Sequence, residues 1–556
     1  MTGVIRLADL RAYDSASRMP GSPGAHAHTN STSSGGPTER LALRLLTRAD
    51  ALCNRLYGSR WNPLYQSGTI VVALYLVLLA TGLWLILFYR VGAPWESVAG
   101  ITASRWTGNW VRGLHRYASD LAVVATAVHA FRMFAQGRTW GARTLAWTTG
   151  CILLGLVFLC GWTGYVMVWD TFGHQLAREG ARLIDTLPIL SEPTSRAFTG
   201  EQRLPSAFFF LNLFAHIGIP LAMGVVFWLH VKRLARPLLL PSRPLMWTAI
   251  GALTALAIVW PLEMAPAADP FVLPDRLPAD LFFAFWLPFT RNLHAGSALL
   301  AALGLVVAAL AVPLFTARRG AAALPPSFVD EDLCVGCLQC AEDCPYDAIA
   351  MIPRAGQPSG LSELVARVDP TLCVSCGICA GSCAPMGVGP PGRTGRDQMT
   401  DVRAFVAAPE RRAGEIIVIG CMHGAAAWAV DVAALGGALY EVTCAGNLHT
   451  SVIELLLRRG AGGVLVAGCP PRDCWHREGP RWLNERVHHG REAELQARVD
   501  RARVRIVSVS AGERGALITA LRELARDIAA LEPPSAVTAV ETEARCEPAA
   551  FTEEPL

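Results

Sequence analysis

The chain has 556 residues, 52% of them hydrophobic and 17% charged, with a net charge of +4 and 16 cysteines. That length suits several domains. A charge so near balance gives no footing for nucleic-acid binding, so no nucleic-acid partner is expected.

Residues 1–40 are rich in Ser, Gly, Thr, Pro and Ala and lack the apolar core of a signal peptide, so they read as a disordered leader. Six apolar stretches follow, at 70–88, 114–134, 144–169, 207–231, 245–262 and 293–315, each able to cross a bilayer. Basic residues gather at Arg40–Arg60, Arg138/Arg143, Lys232–Arg243 and Arg318/Arg319, which fall on one side and are expected to be cytoplasmic. With six spans, both termini are cytoplasmic, and the chain is a multi-pass protein of a bacterial-type inner membrane.

Within these stretches one interval recurs. His115/His129, His216/His230, Gly68/Gly82 and Gly150/Gly164 are each fourteen positions apart. Fourteen residues are roughly 21 Å and almost four turns of helix, so both members of a pair share a face. Two histidine helices and two glycine helices around one axis can hold two stacked haems: imidazoles ligate each iron from both sides, and glycine lets a macrocycle edge approach the backbone. The second and fourth spans run in the same direction. His115 therefore pairs with His216 near the outer face, and His129 with His230 near the inner face. Arg112 and Arg132 lie a turn or less beyond the ligands of the second span, at depths where cations pair with haem propionates.

Trp61-Asn62-Pro63, Thr81-Gly82-Leu83, Trp110–His115, His129–Arg132, Gly164–Trp169 and His216–Pro220 resemble cytochrome b of quinol-oxidising bc complexes over about residues 55–240. The resemblance implies two b-type haems and quinone as a reactant. It weakens over 245–316. The Pro-Glu-Trp-Tyr motif of the family's outer quinol site is missing; the loop reads Pro278-Ala279-Asp280-Leu281-Phe282-Phe283, where Asp280 is the candidate proton acceptor.

Twelve of the cysteines fall between residues 334 and 474. Cys334-x2-Cys337-x2-Cys340-x3-Cys344-Pro345 is the bacterial ferredoxin run, and Cys373-x2-Cys376-x2-Cys379-x3-Cys383 repeats it. In such folds the fourth cysteine of each run serves the other cluster. One [4Fe–4S] cluster is thus assigned to Cys334, Cys337, Cys340 and Cys383, and the other to Cys373, Cys376, Cys379 and Cys344. Eight ligands exceed what a zinc site needs. Ala384 before Pro385 and a Pro/Gly-rich insertion at 353–360 depart from the pattern without removing a ligand. Tethered a dozen residues after Arg319, this domain is expected to hang just beneath the inner haem.

Residues 393–413 read as a linker. Beyond it, apolar runs at 415–420, 439–443, 463–468 and 504–508 alternate with helical patterns at 424–435, 448–459, 480–500 and 513–530, which argues a parallel α/β sheet. Cys421, Cys444 and Cys469 then stand at carboxyl ends of strands, where such sheets bind ligands, with Cys474 in a Pro-rich turn nearby. Four thiols suit one [2Fe–2S] cluster, and tetrahedral zinc also fits. Gly468–Gly479 is similar to the delta subunit of methyl-viologen-reducing hydrogenase, although this chain has Arg472 where the family has Gly and fewer cysteines after its first strand. His423 and His476 are alternative ligands. The resemblance implies a heterodisulfide-reductase-like flavoprotein, or another cytoplasmic dehydrogenase subunit, as partner.

The expected organisation is therefore a multidomain chain. An all-α transmembrane four-helix haem bundle plus two further spans (41–320) is followed by an α+β ferredoxin-like domain (326–392), the linker, an α/β parallel-sheet domain (414–532) and a disordered tail (533–556). Lipid surrounds the first part, and a homodimer is among the assemblies considered. The expected activity is electron transfer between a cytoplasmic redox partner and quinone. The competing readings are a bc-type quinol oxidase with a Rieske partner and a redox sensor.

Overall fold

The structure, a computed structural model, describes residues 36–187, 192–198, 204–232, 234–269, 271, 280–317, 324–356 and 362–531. The expected leader up to residue 35, the tail, Arg318, Arg319 and part of the 353–360 insertion lie outside the described residues.

Among the described residues, five helices are long and apolar enough to cross a membrane: Ser67–Ile86, Gly108–Ala135, Thr144–Val168, Ser206–Val231 and Ala295–Thr316. The first carries no charge and is apolar all round, with Leu83 72% exposed within the protein, as a lipid-facing helix requires. The fifth expected stretch, at 245–262, is instead the 17-residue helix Arg243–Val259. At 1.5 Å per residue it reaches about 25 Å, at the short end of what a ~30 Å hydrocarbon core needs. Pro261 stops it, since the residue before a proline is pushed out of the helical region. The helix packs on the second span, where a Cβ on Gly113 would meet Ala257 Cβ at 3.1 Å. An amphipathic helix, Pro37–Tyr57, precedes the spans and buries Ala42, Leu46 and Asp50.

The cysteine-rich middle forms two small antiparallel sheets. β1 (Phe328–Val329) pairs with β4 (Val388–Gly389), and β2 (Ile349–Pro353) pairs with β3 (Leu364–Val368). Its two halves repeat one backbone path. Gly336 and Leu338 in the first run and Ser375 and Gly377 in the second are all left-handed, as are Asp347 and Met386, each three residues after a fourth cysteine.

The C-terminal sheet is wholly parallel, in the order β6 (Ala438–Val442), β5 (Ile416–Cys421), β7 (Gly463–Gly468), β8 (Val504–Ser508). Successive side chains alternate faces. Ile417, Ile419, Val464 and Val466 join one buried cluster, and Val418, Leu465 and Ala467 join the other. Both faces are covered, as a parallel sheet requires. Residues 393–413 do not behave as a linker. The Thr394 hydroxyl accepts the Asp397 N–H, and Asp397 caps Thr394 in return, starting a helix at Gly395–Ala407 that buries Val402 in the sheet's core. The expected helix at 480–500 ends at His488, after which the chain runs irregularly with Leu495 buried and its N–H on the Arg486 carbonyl.

Candidate electron-transfer centres

The four histidines lie on the second and fourth spans, and each ring faces one of the four glycines. Added Cβ atoms would stand 2.8 Å from His129 at Gly68, 3.3 Å from His115 at Gly82, 3.4 Å from His230 at Gly150 and 3.0 Å from His216 at Gly164. The glycines thus leave room for imidazoles as well as for a macrocycle. His115 and His216 have ring centroids 6.5 Å apart. With about 2 Å for each metal–imidazole bond, that gap suits one iron between them. His129 and His230 are within electrostatic range of each other at the other end.

Three threonines set the tautomer. The hydroxyls of Thr81, Thr149 and Thr163 donate to carbonyls of their own helices, of Val77 (2.7 Å), Leu145 (2.7 Å) and Cys160 (2.8 Å). A hydroxyl has one proton to give, so toward the neighbouring imidazole each can only accept. The partners are the Nδ1 atoms of His115 (2.8 Å), His230 (3.1 Å) and His216 (2.9 Å). Nδ1 therefore keeps its hydrogen and Nε2 is left bare for a metal. The sequence signal is a hydroxyl residue directly before every paired glycine: Ser67, Thr81, Thr149 and Thr163.

The arginines expected to face propionates differ. Arg112 donates to the Thr102 hydroxyl and the Leu262 carbonyl, both at 3.1 Å, and meets no carboxylate there. Arg132 is consumed. Nearly inaccessible, it pairs with Asp50 at 2.8 Å and with Asp473 at 2.6 Å, beneath the Tyr65 ring. Two carboxylates already neutralise it, which counts against its expected propionate role. Burial pushes the Asp50 carboxyl up to about 6, more than Arg132 pulls it down.

Asp280 is likewise committed. It accepts the Tyr165 hydroxyl, the backbone N–H groups of Phe282 (2.7 Å) and Phe283 (2.9 Å), and Arg116 at 2.9 Å. Burial alone would raise its pKa; Tyr165, the two N–H groups and Arg116 outweigh that and hold it below the usual carboxylate range. A carboxylate so held is a poor proton acceptor, which counts against the expected role.

Two cavities gather the eight ferredoxin-type cysteines in two sets. Cys334, Cys337, Cys340 and Cys383 line one, and Cys344, Cys373, Cys376 and Cys379 line the other. Backbone N–H groups of Ala366, Gly387, Ala348 and Ser327 point at the sulfurs of Cys334, Cys383, Cys344 and Cys373 at 3.3–3.5 Å. Such donors stabilise thiolates and tune a cluster's potential.

In the α/β domain Cys421 ends β5, Cys469 follows β7 and Cys444 follows β6, three adjacent strands. All are buried together with Cys474, and the sulfurs of Cys421 and Cys469 are 3.5 Å apart. Close pairing with Cys421 and burial push the Cys469 thiol well up, as pairing with Cys444 and burial do for Cys474. Four packed thiols with depleted solvent fit a group that takes four thiolates. His423 stacks flat on Trp475 at 4.4 Å, and the His476 Nδ1 meets the Tyr346 hydroxyl at 3.1 Å.

The cysteine loop, more than the ferredoxin, bonds the end of the helices that carries His129 and His230. Asp473 takes Arg132 and, at 3.0 Å, Gln136; Arg138 reaches the Asp473 carbonyl at 3.2 Å and Arg143 the Trp475 carbonyl at 2.9 Å. The ferredoxin touches this end through Pro345, whose carbonyl accepts the Arg236 N–H at 2.8 Å, and through Asp347. The ferredoxin is near this end, while the α/β domain makes more of the hydrogen bonds to it.

Three regions match family models: residues 53–236 match cytochrome b/b6/petB, residues 328–350 a 4Fe-4S binding domain, and residues 436–532 the methyl-viologen-reducing hydrogenase delta subunit. The chain is a fusion of these three kinds of module. It is an oxidoreductase of membrane electron transport. The last match begins after Cys421, so the first strand and its cysteine lie outside it. Among solved structures, a chain of a "Hyperthermophilic respiratory Complex III" is similar at 17% identity and a TM-score of 0.36, covering 45% of this chain and 75% of that one.

Proposed function

We propose that the chain carries single electrons between quinone in the bilayer and a cytoplasmic redox partner, a heterodisulfide-reductase-like flavoprotein or another dehydrogenase subunit. The observation that carries this reading is one continuous stack: two levels of glycine-backed histidines, then four buried cysteines docked on the inner level, then two four-cysteine cavities. When bound, two b-type haems, one [2Fe–2S] and two [4Fe–4S] clusters supply one-electron redox chemistry. His115/His216 and His129/His230 would hold the haems, with Thr81, Thr149 and Thr163 fixing the imidazole tautomers. Cys421, Cys444, Cys469 and Cys474 would hold the binuclear cluster. The spans keep water from the histidine levels, and the iron–sulfur domains lie on the side marked cytoplasmic by Arg138, Arg143 and Lys232.

The bc-type alternative needs a proton acceptor at the outer end, and the committed state of Asp280 disfavours it. Quantifying haem, iron and acid-labile sulfide in the purified full chain tests the assignment. Two haems are expected, with about ten non-haem irons and ten sulfides; one haem, or zinc in place of the binuclear cluster, overturns it. Haem reduction by the soluble donor in stopped flow, lost in Cys474→Ser while reduction by added quinol persists, tests the direction of connection.

A further inference from the structure

The loop that follows Cys474 carries a cation without a counter-ion. Among the described residues Arg477 has no carboxylate partner, whereas Arg132 has two and Arg236 has two. Its backbone is left-handed, at φ 64°, a conformation an arginine adopts only when its surroundings demand it. The charged groups around it are chiefly more cations, Arg143 and Arg472, and it stands within electrostatic range of both His129 and His230. Burial and Arg143 together lower its pKa. Arg138, over the Trp475 ring at 4.6 Å, is pushed down to about 9 by burial and by Arg143, and its Nε has no hydrogen-bond partner. Asp473 is the acid nearest this group and is already paired with Arg132; buried cations in excess of acids are costly unless an anion joins them.

We propose that Arg477 is the cation that the α/β domain presents to the inner haem, pairing with its propionate carboxylates, so that the four-cysteine site and not the ferredoxin is that haem's redox neighbour. This rests on reading His129 and His230 as haem ligands. The loop is anchored on both sides of the site. Asp473 holds the second span one turn beyond His129, and the Trp475 carbonyl holds Arg143, just before the span whose Gly150 faces His230. Arg477 lies three residues beyond Cys474 and its N–H bonds the Cys474 carbonyl at 3.1 Å, so a haem carboxylate on it would adjoin the loop that carries that cysteine. Tyr346, which lines the cavity of Cys344, Cys373, Cys376 and Cys379, touches His476 of the same loop. The order of centres becomes ferredoxin, four-cysteine site, inner haem.

The test is optical redox titration of both haems in the purified full chain, comparing Arg477→Gln, Arg477→Lys and Arg472→Gln. Arg472 belongs to the same loop but bonds the Leu240 carbonyl. A positive charge favours the reduced haem, so Arg477→Gln should lower one midpoint and leave the other in place, with cluster signals in electron paramagnetic resonance intact. Arg477→Lys should restore it, and Arg472→Gln should change neither. If Arg477→Gln loses haem, loss of one haem rescued by lysine supports the pairing, and loss of both, or no rescue, overturns it. Unchanged midpoints in Arg477→Gln overturn it as well. A wild-type chain holding only one haem would instead defeat the underlying reading.

Discussion

Gly68→Ala places a methyl group 2.8 Å from Cε1 and 2.9 Å from Nδ1 of His129, both well inside van der Waals contact. The ring cannot back away freely, because its helix is pinned one turn on by Arg132 between Asp50 and Asp473. Overpacking of this kind costs roughly 1–3 kcal/mol, a five- to 150-fold weakening if it falls on haem retention. Gly164→Ala, at 3.0 Å from His216, should be the next most severe, and Gly82→Ala and Gly150→Ala, at 3.3 and 3.4 Å, should be mild. Gly218 and Gly224 are internal controls, since a Cβ on either meets nothing within 4 Å although both sit on a histidine helix. Pyridine-haemochrome quantitation of purified variants reads the result: Gly68→Ala loses the inner haem first, and the two controls retain both. Equal haem content in Gly68→Ala and Gly218→Ala would refute the argument that these glycines exist to admit imidazoles.

Thr163→Val keeps the shape but removes one of two acceptors on His216 Nδ1, leaving the Cys160 carbonyl at 3.0 Å, so a loss of at most about 10-fold in outer-haem affinity, the low end for such a partner, is expected; a haem titration of the apoprotein checks it. Asp50 has a folded-state pKa of about 6 against an ordinary 3.8, so its ionised form opposes folding. Stability should fall as pH rises through about 4 to 6 and level off above, by an amount on the order of 3 kcal/mol. Asp50→Asn should flatten that profile in thermal melts, and an unchanged profile would assign the dependence elsewhere. Arg486→Met leaves buried Asp343 with Arg491 and the Ser382 hydroxyl and should cost about 3 kcal/mol of the contact between ferredoxin and α/β domain, seen as new proteolytic cleavage between them.

Much of this was legible because the chemistry is periodic. The fourteen-residue interval and the doubled cysteine run survive as geometry: the glycines face the histidines, and Cys344 and Cys383 cross over to each other's cavities. Strands ending at Cys421 and before Cys469 were visible because buried parallel strands are unbroken apolar runs. The contacts made at long range were not visible. Nothing near Asp473 in sequence announces that it will hold Arg132, more than three hundred residues earlier. The helix Gly395–Ala407 hid because Pro390-Pro391 and three arginines make its surroundings resemble a linker, while the capping pair Thr394/Asp397 was the overlooked signal. The fifth apolar stretch is a composition match whose length only its packing on Gly113 and the stop at Pro261 decide.

The Arg132 node shows what these distant contacts accomplish. Its three charged members come from the helix before the spans, from a histidine span and from the cysteine loop, so the triad can close only when all three have folded and met. Buried ion groups of this sort are weak sources of net stability, because desolvation offsets most of their attraction, while breaking one leaves an uncompensated charge. Their effect is on register. A cysteine loop displaced by one residue would put Cys474 in place of Asp473 and leave Arg132 facing a thiol. Arg486 repeats the device at the other junction, 1% exposed, bonded to the carbonyls of Ile378, Gly446 and Leu448 and to the hydroxyl of Ser382. A Cβ on Gly381 would strike that guanidinium, so only glycine admits it. Electron transfer depends steeply on separation. Two buried arginines, each paired with its carboxylates only in one docking geometry, are a physical means of holding three redox modules at fixed spacing along a single chain.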